Sequence, residues 1–127
     1  MTGSDSRLTA DVEIDIGSGG SGTLTIENGG AVSTPLLVIS DALGGNGTLN
    51  LNSGGTIEVG TGGIVAGVEV NSINLAGGLI KLFASPTTFA FPATLTEGTT
   101  TTIDTNGFNA TFTNGIYFGD FGEVFAN

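Results

Sequence analysis

The chain has 127 residues, 39% of them hydrophobic and 11% charged, which fits one domain with enough apolar side chains to build a core. It contains no Cys and no His, which excludes disulfides, thiolate and imidazole metal sites, cysteine nucleophiles and histidine general bases. Arg7 and Lys81 are its only cations against 12 acids; a formal charge of -10 rules out a grip on nucleic-acid phosphates and disfavours an anionic membrane surface.

No apolar run is long enough to predict a membrane-inserted helix. The start, MTGSDSRLTA, has no apolar signal core, which leaves either a leader removed ahead of Met1 or no secretion by that route. Helix is disfavoured throughout, because glycine pairs at 19–20, 29–30, 44–45, 54–55, 62–63 and 77–78 leave no adequate window. The apolar residues alternate instead, in short runs bounded by Gly, Asn and Ser, as strands do.

The first predicted strand is Asp11–Ile16, with Val12, Ile14 and Ile16 on one side and Asp11, Glu13 and Asp15 on the other. The following runs carry Leu24 and Ile26, then Leu36 to Ile39, Leu49 and Leu51, Ile57 and Val59, Val68 and Val70, and Ile73 and Leu75. These runs repeat. G-T-L-T-I-E-N-G-G-A-V at 22–32 matches G-T-L-N-L-N-S-G-G-T-I at 47–57, a spacing of 25 residues. I-N-L-A-G-G-L-I at 73–80 is a third copy, one residue shorter before its glycine pair, and T-I-D-T-N-G-F at 102–108 a fainter fourth. The lead-in recurs too: V-E-I-D-I at 12–16 precedes G-G-S-G, and L-L-V-I at 36–39 precedes G-G-N-G.

A period near 25 residues with about three short strands is one coil of a β-solenoid. The expected fold is all-β, a parallel β-helix of about four to five coils, roughly 20–25 Å long at the usual strand spacing. Inward Leu, Ile and Val form ladders, outward Thr, Asn, Asp and Glu meet water, and glycines turn the corners. A β-sandwich suits strands of this spacing, but its strands rarely repeat their own sequence.

The far end differs. All nine aromatics fall between Phe83 and Phe125, residues 83–98 break the repeat, and 115–127 read G-I-Y-F-G-D-F-G-E-V-F-A-N. The expected organisation is a single domain: a flexible or capping N-terminus over 1–10, coils over 11–113, and an aromatic tail over 114–127 serving as cap or inter-subunit strand.

The segments at 22–32 and 37–57 resemble the repeat associated with type V autotransporter passengers and PEP-CTERM-tagged surface proteins. T-I-D-T-N-G-F-N-A-T-F at 102–112 resembles the autotransporter-associated β-strand repeat. The resemblance covers roughly residues 12 to 113. It implies a right-handed β-helix and a place on a bacterial cell surface or outside it.

Solenoid ends are open sheet edges that invite pairing. A strand donated to such an edge uses main-chain hydrogen bonds, and head-to-tail contact of this kind gives a filament. The candidate interface residues are Val12, Ile14 and Ile16 at one end, and Tyr117, Phe118, Phe121, Val124 and Phe125 at the other. The expected function is a structural subunit of an extracellular fibre or matrix, with itself as partner. The alternative is an adhesin presenting a lateral face to a polysaccharide or host surface.

Catalysis is not expected. Asp11, Glu13 and Asp15 on one strand face would stand about 6.6 Å apart, a separation that glycosidases use, but alternating outward acids are the ordinary dress of a solvated strand. No cofactor is expected. Calcium is the ion best suited to the acids, with Asp11, Asp15 and Asp120 as candidate ligands and Asp104, Asp120 and Glu123 as a looser set. The calcium β-roll pattern G-G-x-G-x-D fails at its ligand position, occupied by Leu24 and Leu49. An ice-binding Thr-x-Thr array is broken by Asn50 and Asn74.

Overall fold

The computed structural model describes residues 1–67, 70–85, 87–90, 92–113, 116–118 and 123–126. Among them all regular structure is strand. In chain order these are β1 (Arg7–Thr9), β2 (Ile14–Ile16), β3 (Ser21–Ile26), β4 (Ala31–Ile39), β5 (Asn46–Asn52), β6 (Thr56–Ala66) and β7 (Val70–Ala76). They continue with β8 (Leu79–Leu82), β9 (Thr87–Ala90), β10 (Ala93–Leu95), β11 (Thr100–Asp104), β12 (Ala110–Phe112), β13 (Ile116–Phe118) and β14 (Glu123–Ala126). Each pairs in parallel with the strand one coil away, and the stack makes a β-solenoid of about four turns.

The strands form three columns. Column one is the five-stranded sheet β3-β5-β7-β10-β13. The other sheet has nine strands, and the two long ones bend to serve two columns. Column two is β1, the first half of β4, the first half of β6, β8, β11 and β14. Column three is β2, the second halves of β4 and β6, then β9 and β12. The bend in β4 falls at Pro35, where the register shifts between Thr34 and Leu36. Proline gives no ladder N–H, so it belongs at such an irregularity.

The repeat is legible in the pairing. Thr23, Leu24, Thr25 and Ile26 stack on Thr48, Leu49, Asn50 and Leu51, and these on Ser72, Ile73, Asn74 and Leu75. Ile26, Leu51, Leu75 and Leu95 make one inward ladder; Val32, Ile57, Ile80 and Ile103 make another. All are buried, and with Leu37, Ile39, Ile64 and Phe89 they form one continuous core. Stacking like on like keeps each coil's volume equal to its neighbour's, so close packing carries from coil to coil.

Glycine is required where coils touch backbone to backbone. A Cβ on Gly55 would lie 2.4 Å from the Ile26 carbonyl oxygen, and one on Gly63, at φ +66, only 1.8 Å from that of Thr88. Among the described residues three polar side chains are fully buried, and each serves a corner. The Thr34 hydroxyl donates to the Leu36 carbonyl at 2.9 Å, and Ser40 Oγ accepts from the Gly47 N–H at 2.6 Å. Thr101 Oγ donates to the Gly77 carbonyl at 3.2 Å and accepts from its N–H at the same distance.

Two sequence expectations need correction. The segment 102–108 is not a fourth copy of the column-one motif: Thr102, Ile103 and Asp104 stack on Leu79, Ile80 and Lys81 in column two. The fourth column-one strand is β10, with Thr94 on Asn74 only 20 residues on. Its corner is T-E-G-T, closed by the Thr99 hydroxyl on the Thr96 carbonyl at 2.7 Å, in place of a Gly-Gly pair. The Asn106-Gly107 turn that mimicked the motif is a different corner, with φ 50 and 80. The predicted strand Asp11–Ile16 also shrinks to Ile14–Ile16, because Asp11 to Glu13 round the corner that Thr34 to Leu36 turn in the next coil. An unexpected strand, Arg7–Thr9, precedes it. Val68 lies outside the described residues.

Leu51→Ala removes a fully buried ladder member and is expected to cost about 2–5 kcal/mol, whereas Leu43→Ala, at a site 82% exposed, is expected to stay within about 0.5 kcal/mol. Urea unfolding of the two variants checks the contrast.

Candidate functional site at the ends and faces of the coil

At the N-terminal end, column one closes on β3, which among the described residues pairs with β5 alone. The direction of its backbone groups follows from its neighbours. The Asn46 N–H donates to the Gly20 carbonyl at 2.9 Å, so even-numbered residues face the stack. The Thr25 carbonyl accepts from the Met1 amino group, and the Glu27 N–H donates to the Met1 carbonyl at 2.9 Å, so odd-numbered residues face away. Ser21 and Thr23 thus direct their main-chain groups to a side where no strand is paired among the described residues. Strand β2 is alike: among the described residues its strand partner is β4 alone, and the Ile16 carbonyl already accepts from the Ser40 N–H at 2.9 Å.

The predicted interface side chains at this end divide. Ile16 is core, 5% exposed, and Ile14 is half-buried against it. Val12 is 74% exposed on the bend before β2, so it does not belong to an edge strand. Asp11 and Glu13 sit on that bend too, so the evenly spaced row of three acids expected on one strand face does not form. Met1, Ile14 and Leu24 pack partly buried against the core, and Leu8 is 38% exposed.

At the other end, column three closes on β12. Phe112 lies on Phe89 with ring centroids 4.9 Å apart and planes 12° apart. The upper ring is 40% exposed and the lower 1%, so an aromatic ladder starts in the core and stops at the surface. Of the predicted tail residues, Tyr117 and Phe118 take column-one positions beside Thr94 and Leu95, and Val124 and Phe125 take column-two positions beside Thr101 and Thr102. The tail thus supplies the last strands of two columns. Phe121 and Asp120 lie outside the described residues.

The lateral faces are polar and ordered. On column one, the Asn50 side-chain amide donates to Thr25 Oγ1 at 3.2 Å, and that of Asn74 to Asn50 Oδ1 at 2.8 Å. The Asn52 amide donates to Glu27 Oε2 at 2.9 Å. On column two, Lys81 stands in register between Glu58 and Asp104, and Arg7 reaches Glu58 at 2.5 Å. Both cations of the chain therefore lie on one face. The Arg7–Glu58 pair is exposed, and pairs of that kind contribute about 0–1 kcal/mol.

No pocket opens among the described residues, and no three of their acidic groups gather as a metal site. Asp11 and Asp15 are both exposed. These features define a class of protein: a parallel β-solenoid, in which, among the described residues, no strand pairs with the outer side of β3 or β2. No family model matches the chain, and no curated protein or solved structure shows similarity to it.

Asn50→Ala removes the amide that donates to Thr25 Oγ1 and the oxygen that accepts from the Asn74 amide, and is expected to destabilise by about 1–2 kcal/mol, measured by denaturant unfolding.

Proposed function

We propose that this protein is a structural subunit of a bacterial extracellular fibre or matrix, lengthened by end-to-end continuation of its own coil. The observation that carries the reading is the edge on β3 and β2. At Ser21 and Thr23 its main-chain groups are aimed outward, Met1 meets the edge only at Thr25, and among the described residues neither helix nor strand lies across β3. The partner that fits such an edge is another strand of the same pitch and register, and the last strands of this chain have both. The exposed ladder end at Phe112 adds apolar surface for burial.

Charge sets the conditions. Asp5, Asp11, Glu13 and Asp15 are all exposed at the N-terminal end, and the whole chain carries -10. Copies therefore repel one another at long range, and salt shortens that repulsion to about 8 Å at physiological ionic strength. Lateral binding of a glycan is a second reading, supported by the ordered hydroxyl and amide rows of column one.

Thr23→Pro tests the first reading. Position 23 faces away from β5, so the proline removes an outward N–H while the existing ladder is kept. The purified chain is expected to form fibres one solenoid wide in negative-stain microscopy, faster at 0.5 M than at 0.05 M salt, and Thr23→Pro is expected to stay folded by circular dichroism without elongating. Monodisperse particles of the unaltered chain at both salt levels sink the fibre reading and leave the lateral face.

A further inference from the structure

The three columns do not begin and end together. The chain enters them as β1 in column two, β2 in column three and β3 in column one, and its last visits are β12 in column three, β13 in column one and β14 in column two. A second copy seated with its β1 directly on β14 therefore leaves a strand missing elsewhere. Its β2 would stand two spacings from β12, and its β3 two from β13, about 9.6 Å where pairing needs about 4.8 Å. If β14 instead occupies the place of the neighbour's β1, every column closes. The first half of β4 then follows β14, β2 follows β12, and β3 follows β13, each at one spacing.

We infer that β1 is a displaceable plug, and that end-to-end joining proceeds by exchange, with β14 of one copy replacing β1 on the β4 edge of the next. The inference rests on the fibre reading above. Register supports it: Arg7, Ala31, Thr56, Leu79, Thr102 and Phe125 are successive members of one column, so Phe125 and Ala126 are the column equivalents of Arg7 and Leu8. The build of β1 supports it too. It has three residues, all exposed, where the part of β4 beneath it holds the fully buried Val32 and Thr34. The Ala31 N–H donates to the Ser6 carbonyl at 2.8 Å and the Ala10 N–H to the Ser33 carbonyl at 3.0 Å, and the ion pair β1 makes among the described residues is the exposed Arg7–Glu58 contact. Residues 10–13 leave β1 on a bend, so it can swing away with residues 1–6, releasing the bonds of Met1 to Thr25 and Glu27 and of Gly3 to Asn28, while β2 stays paired to β4.

The chain has no cysteine, so a Thr9→Cys/Ser33→Cys pair can lock the plug unambiguously. The two positions are in register on neighbouring strands, about 4.8 Å apart, within disulfide reach. Elongation of full-length chains from sonicated seeds is followed by light scattering. The oxidised pair is expected to elongate at least tenfold more slowly than the unaltered chain and to recover on reduction. Arg7→Glu, which sets like charges at Glu58, is expected to elongate several-fold faster. Hydrogen exchange gives a second readout: in fibres the Ala10 amide is expected to lose protection while Ala31 keeps it. An oxidised pair that elongates at the unaltered rate, or an Ala10 amide still protected in fibres, overturns the exchange while leaving end-to-end assembly standing. No elongation by any of the three proteins, with all folded, overturns both.

Discussion

Parallel pairing in register is the constraint from which the rest of this molecule follows. A strand one coil up must place the same kind of side chain inward at the same height, or the core either opens or clashes. Hence Ile26, Leu51, Leu75 and Leu95 succeed one another, and hence like stands on like outside as well, with Asn74 on Asn50. The coils differ in length nonetheless. From Leu37 to its partner Ile64 the chain runs 27 residues, and from Asn74 to its partner Thr94 only 20. The corners absorb that difference, since they alone are free of the ladder. Glycine dominates there because a corner must either turn left-handed or pass close to the backbone of the next coil, and Gly63 does both.

The polar side chains hold the register that the core alone would leave loose. Aliphatic ladders tolerate sliding by two residues, because leucine still meets isoleucine. The Thr25–Asn50–Asn74 row does not, since each amide has one hydroxyl or carbonyl partner at the right height. Thr34, Ser40 and Thr101 act likewise at the corners, where a buried hydroxyl without its partner would cost about 1–3 kcal/mol. No buried side-chain polar atom among the described residues lacks a partner. Specificity thus comes from short polar groups, and stability from apolar ladders.

The columns most visible in the sequence are those where chemistry and spacing repeat together. Residues 22–32 and 47–57 announce their stacking because side-chain alternation and the glycine pair recur at one interval. Residues 93–104 conceal theirs. The coil is shortened, its corner is T-E-G-T, and the Asn106-Gly107 turn presents the familiar polar-glycine signal one corner too late. Strand β1 was invisible for another reason. R-L-T has one apolar residue, and its strand character comes from the edge of β4 rather than from its own alternation. The candidate site divides on the same lines. The open ends follow from the fold class, and Ile14 and Ile16 from alternation, but alternation also drew Val12 inward, where a corner turns it out. The salt bridge between Arg7 and Glu58, 51 residues apart, had no sequence signal, because it depends on β1 pairing at all.

An edge that is both open and flat is an aggregation hazard, and proteins usually guard it with charge or cover. Here the guards are unequal. Acids surround the N-terminal end, β1 covers column two, Met1 meets β3 at Thr25, and among the described residues no strand covers β2 or the rest of β3. In an exchange, the bonds that β1 gives up to β4 are made again by β14 in the same column. The swap itself is therefore close to neutral, as exchanges of equivalent elements are. The driving force comes from the columns that had no partner beforehand: β12 against β2, and β13 against β3. It also comes from burying Ile14, Leu24 and Phe112, which the single chain leaves partly in water. Opposed to it stands the repulsion of like-charged ends, which acts at distance and fades with salt. A short-range attraction set against a long-range repulsion lets one sequence stay dispersed when dilute and pair when copies are brought close.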